Sequence, residues 1–129
     1  MAKQPKVLII EDSPADAKLI AQALRTGRIP IEWERVKDAS AMKYALTTES
    51  WDVITSDWTM REFSAPAALR ILRDMGLDTP FIIVSGAIRE EFVVEAMRAG
   101  ASDYVMKGCL ARLGSVVERE LRGRESPNR

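Results

Sequence analysis

Four short stretches carry residue types that can do chemistry: Glu11-Asp12, Asp57, Ser85-Gly86 and Lys107. Carboxylates gathered closely repel one another, so they either hold protons or share a cation. Oxygen donors alone favour a hard ion, and Mg²⁺ is commonly held by one or two carboxylates plus water and phosphate oxygens. A carboxylate is also a nucleophile toward phosphorus. Phosphoryl transfer needs its charge neutralised by a cation and a Lys, and its oxygens held by hydroxyl and backbone donors. On this chemistry Asp57 is the nucleophile, and Glu11 and Asp12 hold Mg²⁺. Lys107 pairs with a phosphoryl oxygen, and Ser85 and the Gly86 amide donate hydrogen bonds. Each residue alone has a plainer explanation. Glu11-Asp12 favours a helix N-terminus, Asp57 suits a solvated loop, Ser85-Gly86 a turn, and Lys107 an exposed strand end. The chemistry holds only if a fold brings all of them together.

The elements that would do so are readable from periodicity. Val7-Leu8-Ile9-Ile10 is a short apolar run, read as a buried strand. Ser13, Pro14 and Asp16 mark a helix start of capping-box type, followed by Leu19, Ile20, Ala23 and Leu24 at helical spacing, with Gly27 as a stop. Ile31 and Trp33 alternate with Glu32 and Glu34, the pattern of a half-exposed edge strand. Asp38 caps a second helix through Met42, Ala45 and Leu46, and Val53-Ile54 leads a third strand into Asp57. A third helix is expected from Pro66 to Met75, stopped at Gly76. Phe81 to Val84 is the clearest buried strand. Val93, Ala96 and Met97 mark a fourth helix ending at Gly100, and Tyr104-Val105-Met106 is a fifth strand. Leu110, Leu113, Val116, Val117 and Leu121 form the stripe of a last helix, before a polar, frayed tail over 123–129.

Strands alternating with helices imply a parallel sheet covered on both faces, here an α/β doubly wound sheet of flavodoxin-like order 2-1-3-4-5. Ligands of such sheets bind beyond the carboxyl ends of the strands. All four chemical stretches fall there, on one rim. The expectation is one domain over 1–129, with its core at about 6–122.

Composition narrows the function further. A balance of 19 basic and 19 acidic residues gives no general pull toward nucleic acid or anionic lipid. No run is long enough to span a membrane, and the N-terminus lacks the apolar core of a signal peptide. Lone Cys109 suits a reducing compartment, so a cytoplasmic location is expected. With no His and one Cys, zinc sites and His-based catalysis are nearly excluded.

At these residues the chain resembles the response-regulator receiver domains of two-component signalling. The resemblance runs from about Lys6 to about Arg122. It rests on Val7 to Asp12, Ser56 to Met60, Phe81 to Gly86, Ala96 to Tyr104, and Lys107. Ser85 follows Asp57 by 28 residues and Lys107 follows Ser85 by 22, spacings that suit the family. The resemblance implies a signalling domain that catalyses only its own phosphorylation and dephosphorylation. A sensor histidine kinase or phosphotransfer protein would supply the phosphoryl group from a phosphohistidine. The Thr59 carbonyl would be a further Mg²⁺ ligand, and the Trp58 backbone would join the phosphate site. Ser85 would turn toward the phosphoryl group and Tyr104 would change rotamer with it. The surface of the fourth helix, fifth strand and fifth helix would then bind a downstream protein. That surface is expected to span roughly Ile88 to Arg122. A homodimer is left open.

The sequence departs from the family pattern in two places. Arg61 and Ala65 stand where the family has Pro and Gly, and Gly108 stands where it has Pro after the Lys. A cis bond before a non-proline residue costs about 2.5–4 kcal/mol, so the Lys107–Gly108 bond is expected to be trans. Three other readings compete. An Asp-nucleophile phosphatase needs a second acid two residues on, where Thr59 stands. A flavin phosphate after the first strand would be repelled by Glu11 and Asp12. A receiver-like interaction scaffold would not need the full set of Asp12, Asp57, Ser85 and Lys107. No DNA-binding output domain fits after the fifth helix, so a free-standing receiver, or a module of a hybrid kinase or of a longer regulator, is expected.

Overall fold

The computed structural model describes residues 4–26, 30–58, 63–86 and 90–125. Five expectations fall outside them: the Gly27 stop, the Thr59 carbonyl, the effect of Arg61, the Ile88 end of the output surface, and the end of the tail at 126–129. Strands β1 (Lys6–Ile10), β2 (Glu32–Val36), β3 (Val53–Ser56), β4 (Phe81–Ser85) and β5 (Asp103–Met106) alternate with helices. These are α1 (Pro14–Thr26), α2 (Ala39–Thr48), α3 (Ala65–Asp74), α4 (Glu90–Ala99) and α5 (Leu113–Glu125). The strands form one parallel sheet in the order β2-β1-β3-β4-β5, the expected flavodoxin-like arrangement.

Period-two side-chain alternation divides the core into two layers. Leu8, Ile10, Ile54, Phe81 and Ile83 face α2, α3 and α4, packing on Met42, Leu69, Leu72 and Ala96. Val7, Ile9, Val53, Ile82 and Val84 face the other way, onto Ile20 and Leu24 of α1 and Val116 and Val117 of α5. Both faces of the central strands are therefore buried, which explains the apolar runs from Val7 to Ile10 and from Phe81 to Val84. Each fully buried Leu, Ile or Phe contributes about 1.5–3 kcal/mol from burial. β2 lies at an edge, and its Glu32 and Glu34 are exposed.

Local signals set the helix ends. The Asp38 carboxylate accepts from the Ala41 amide at 2.8 Å, and Gly76 (φ 74°) and Gly100 (φ 114°) take positive φ after α3 and α4. Several expectations need correction. α3 starts at Ala65, because Ser64 is the cap and accepts from the Ala67 amide at 3.3 Å, which leaves Pro66 inside the first turn. Leu110 is not in α5. It lies in a 3-10 segment, Lys107–Arg112, broken at Cys109 (φ −125°, ψ 41°), and α5 proper begins at Leu113. Helix α5 also continues through Gly123 to Glu125, with a Glu118–Arg122 ion pair at 3.2 Å one turn before its end. Met97 is 41% exposed, so the inward face of α4 is carried by Ala96 instead. Among the described residues no peptide bond is cis, and no helix is long and apolar enough to cross a membrane.

Candidate phosphoryl-transfer and metal site

The register explains why the chemical residues meet. Ile10 pairs with Ser56, so the next residues, Glu11 and Asp57, leave the sheet side by side. Two backbone bonds extend the ladder one step further: the Asp57 amide donates to the Ile10 carbonyl and the Glu11 amide to the Val36 carbonyl, each at 3.0 Å. Ser85 pairs with Met106, and Lys107 follows at once. All the expected stretches thus reach one rim.

Glu11, Asp12 and Asp57 each present a carboxylate oxygen, and the three lie within 4.8 Å of one another. Glu11 and Asp57 are buried, whereas Asp12 is exposed. Lys107 reaches into this group. Its Nζ lies 2.9 Å from Glu11 Oε2, 3.3 Å from Asp57 Oδ2 and 2.7 Å from Asp16 Oδ2. Burial pushes Glu11 up from 4.5 to about 7 and the Asp57 charge adds to this, although hydrogen bonds from Lys107 and the Ser13 amide pull the other way. Burial alone would lower the Lys107 ammonium, but its hydrogen bonds to Asp16 and Glu11 and the Asp57 and Glu11 charges outweigh that, and its pKa is raised.

Ser85 is 1% exposed, and its Oγ has no hydrogen-bond partner among the described residues. A buried hydroxyl left in this way costs free energy, which a phosphoryl oxygen would recover. The donor set is all oxygen, compact and acidic, and fits a hard divalent cation such as Mg²⁺. Gly86 lies beside Lys107, and a Cβ built on it would sit 3.9 Å from Lys107 Cδ. Trp58 is half-buried and packs on the α2–α4 layer. Tyr104 is half-buried, packed against the α2–α4 layer of the core. The Arg112 guanidinium lies 5.8 Å from its ring centroid, and Arg112 Nη1 donates to its carbonyl at 2.7 Å.

Two residues of the site were not anticipated. Arg35 donates to the Glu11 carbonyl at 3.1 Å, fixing the backbone at the acidic pair. Asp16 was read as the acid of a capping box. Half of the box forms, with Ser13 Oγ accepting from the Asp16 amide at 3.2 Å. The reciprocal place is taken by Glu11, whose Oε1 accepts from the Ser13 amide at 3.2 Å. The Asp16 carboxylate goes to Lys107 instead, across 91 residues of sequence. Its position in the first turn of a helix was visible in the sequence, but nothing there connected it to a strand end so distant.

Comparison with known proteins agrees with this geometry. A family model for the response regulator receiver domain matches residues 7–115. The chain is similar to the chemotaxis protein CheY of Treponema pallidum, 27% identical over 119 residues, which are 88% of this chain and 83% of that protein. It is also similar to the response regulator protein PmrA of Pseudomonas aeruginosa, 30% identical over 79% of this chain but only 45% of PmrA. Among solved structures, a Francisella response regulator receiver domain superposes with a TM-score of 0.81 at 27% identity, covering 93% of this chain and 98% of its own. A receiver domain of a signal transduction histidine kinase from Syntrophus aciditrophicus gives 0.77 at 29% identity, covering 95% and 93%.

Proposed function

This chain belongs to the response regulator receiver domain family, and we propose that it is a working phosphorylation switch whose phosphoacceptor is Asp57. Receiver domains interact with histidine kinases and with downstream effectors, and generally bind Mg²⁺ at an acidic pocket. The observation that carries the proposal is the Asp57 carboxylate, held within 4.8 Å of the Glu11 and Asp12 oxygens and 3.3 Å from Lys107 Nζ.

In this reading Glu11, Asp12, Asp57 and the Thr59 carbonyl would hold Mg²⁺, which would supply charge neutralisation at the phosphoryl oxygens. An Asp57 oxygen attacks phosphorus of a phosphohistidine on a sensor kinase or phosphotransfer protein. The P–N bond breaks and its electron pair returns to the imidazole. Lys107 takes one phosphoryl oxygen, and Ser85 Oγ with the Trp58 and Gly86 amides takes others. Ser85 then leaves its resting place and Tyr104 turns, altering the α4-β5-α5 surface for a downstream protein.

Incubation with phosphoramidate or acetyl phosphate and Mg²⁺, followed by intact mass, tests the reading. A single phosphoryl adduct is expected, lost in Asp57→Asn because an amide is a poor nucleophile. An unlabelled wild type would point to an interaction scaffold. Equal labelling of Asp57→Asn would move the phosphoacceptor elsewhere.

A further inference from the structure

We propose that Asp16 is a positioning residue for phosphoryl transfer, holding the Lys107 ammonium at the rim when a divalent cation occupies the acidic group. The inference rests on the assignment of Asp57 and Lys107 above and adds a residue to it.

Lys107 has three N–H donors, and three carboxylates lie within ion-pair distance: Asp16 at 2.7 Å, Glu11 at 2.9 Å and Asp57 at 3.3 Å. They are not equivalent. Glu11 and Asp57 belong to the oxygen cluster that fits a cation, with Asp12, whereas Asp16 does not. A divalent ion there would be the largest local charge. It would neutralise Glu11 and Asp57 and repel the ammonium a few ångströms away. Asp16 is then the carboxylate left to Lys107, and it already makes the shortest of the three contacts. Without it, cation binding and a well-placed Lys107 would oppose each other, and the side chain, already 23% exposed, would swing toward solvent.

The placement of Asp16 is also fixed. Its amide is bound by Ser13 Oγ at 3.2 Å. Glu11 occupies the Ser13 amide, which a capping-box acid at position 16 would otherwise take. The Asp16 carboxylate is therefore free of the helix end. The plainer role, an acid stabilising the start of α1 through the helix dipole, predicts an effect on stability and none on the reaction.

The test is the labelling rate of wild type, Asp16→Ala and Asp16→Asn with phosphoramidate across a Mg²⁺ titration, read by intact mass, with melting curves to establish the folded fraction. Asp16→Asn preserves shape if the Ala variant does not fold. The plateau rate at saturating Mg²⁺ is expected to fall about tenfold in Asp16→Ala, the scale of one partly exposed charge-assisted hydrogen bond. Asp16→Asn, which keeps an oxygen acceptor without the charge, should fall between. A plateau equal to or above the wild-type rate in both variants overturns the proposal. So does a loss that higher Mg²⁺ fully restores, because Asp16 would then act on the metal and not on Lys107. An unlabelled wild type would overturn the site assignment itself, a result distinct from either.

Discussion

The indole of Trp58 stacks on the ring of Phe92, with centroids 5.6 Å apart and planes inclined by 26°. One ring follows Asp57 directly and the other projects from α4, so this aromatic contact joins the acidic rim to α4. Such a pair contributes about 0.5–1.5 kcal/mol beyond its buried area. In a Trp33→Phe, Trp51→Phe background, Phe92→Ala should move Trp58 emission to the red and lower stability by about 1 kcal/mol. The same background should report Mg²⁺ through Trp58. An unchanged spectrum in the Ala variant would show that the stack is not maintained in solution.

Arg73 ties the end of α3 to the end of α4. Its Nη1 donates to the Leu77 carbonyl at 2.9 Å and its Nη2 to the Gly100 carbonyl at 2.8 Å. Both acceptors lie past a helix terminus, where carbonyls lack helical partners. Arg73→Met keeps the apolar stem and removes both donors, and should cost about 1–3 kcal/mol in urea denaturation. A change within about 0.5 kcal/mol, as for an uninvolved surface residue, would mean that water serves these carbonyls equally well.

What could be read in advance follows from the range of each interaction. Strand faces depend on period two and helix starts on a cap within three residues, so Val7 to Ile10, Asp38 and Gly100 were all readable locally. The rim was readable because the parallel topology puts every strand end on one side, wherever Asp57, Ser85 and Lys107 stand in the chain. The role of Asp16 was not, because two acids compete for one amide at Ser13 and only geometry decides that Glu11 takes it. Nor was the 3-10 segment over Lys107–Arg112, since Leu110 and Leu113 are spaced equally well for either helix type. Met97 marks the fourth helix correctly, but periodicity alone did not show that it would lie exposed while Ala96 carries the buried contact.

Glu11 gives a pH signature. Its folded value is raised from 4.5 to about 7. The native state therefore holds this proton more tightly than the unfolded chain. The associated stability is complete below about 4.5 and is lost as pH rises through about 7. At 1.36 kcal/mol per pH unit the loss reaches about 3 kcal/mol. In metal-free protein, wild type should lose stability relative to Glu11→Gln across that window. Mg²⁺ requires the carboxylate, so it should stabilise wild type more at about pH 8 than at about pH 5, releasing a proton on binding in between. Parallel pH profiles for wild type and Glu11→Gln would contradict this account.

Ser85 offers a test in which stability and signalling move in opposite directions. Its Oγ is buried at the end of β4 with no hydrogen-bond partner among the described residues. Removing an unsatisfied buried hydroxyl is neutral or stabilising, against a usual cost of about 1–3 kcal/mol for leaving one in place. Ser85→Ala should therefore melt at or above the wild-type temperature. The same hydroxyl is the group proposed to follow the phosphoryl oxygens, and in that proposal its departure would make room beside Tyr104, the register partner of Ile83 on β5. Beryllofluoride, which mimics the phosphoryl group, should change hydrogen-exchange protection of wild type around both Asp57 and Tyr104. In Ser85→Ala the change near Asp57 should persist while the change near Tyr104 is lost. A destabilised variant would mean that Ser85 is satisfied in the resting protein. Wild-type protection changes confined to the acidic rim would mean that Tyr104 is passive and the output surface lies elsewhere.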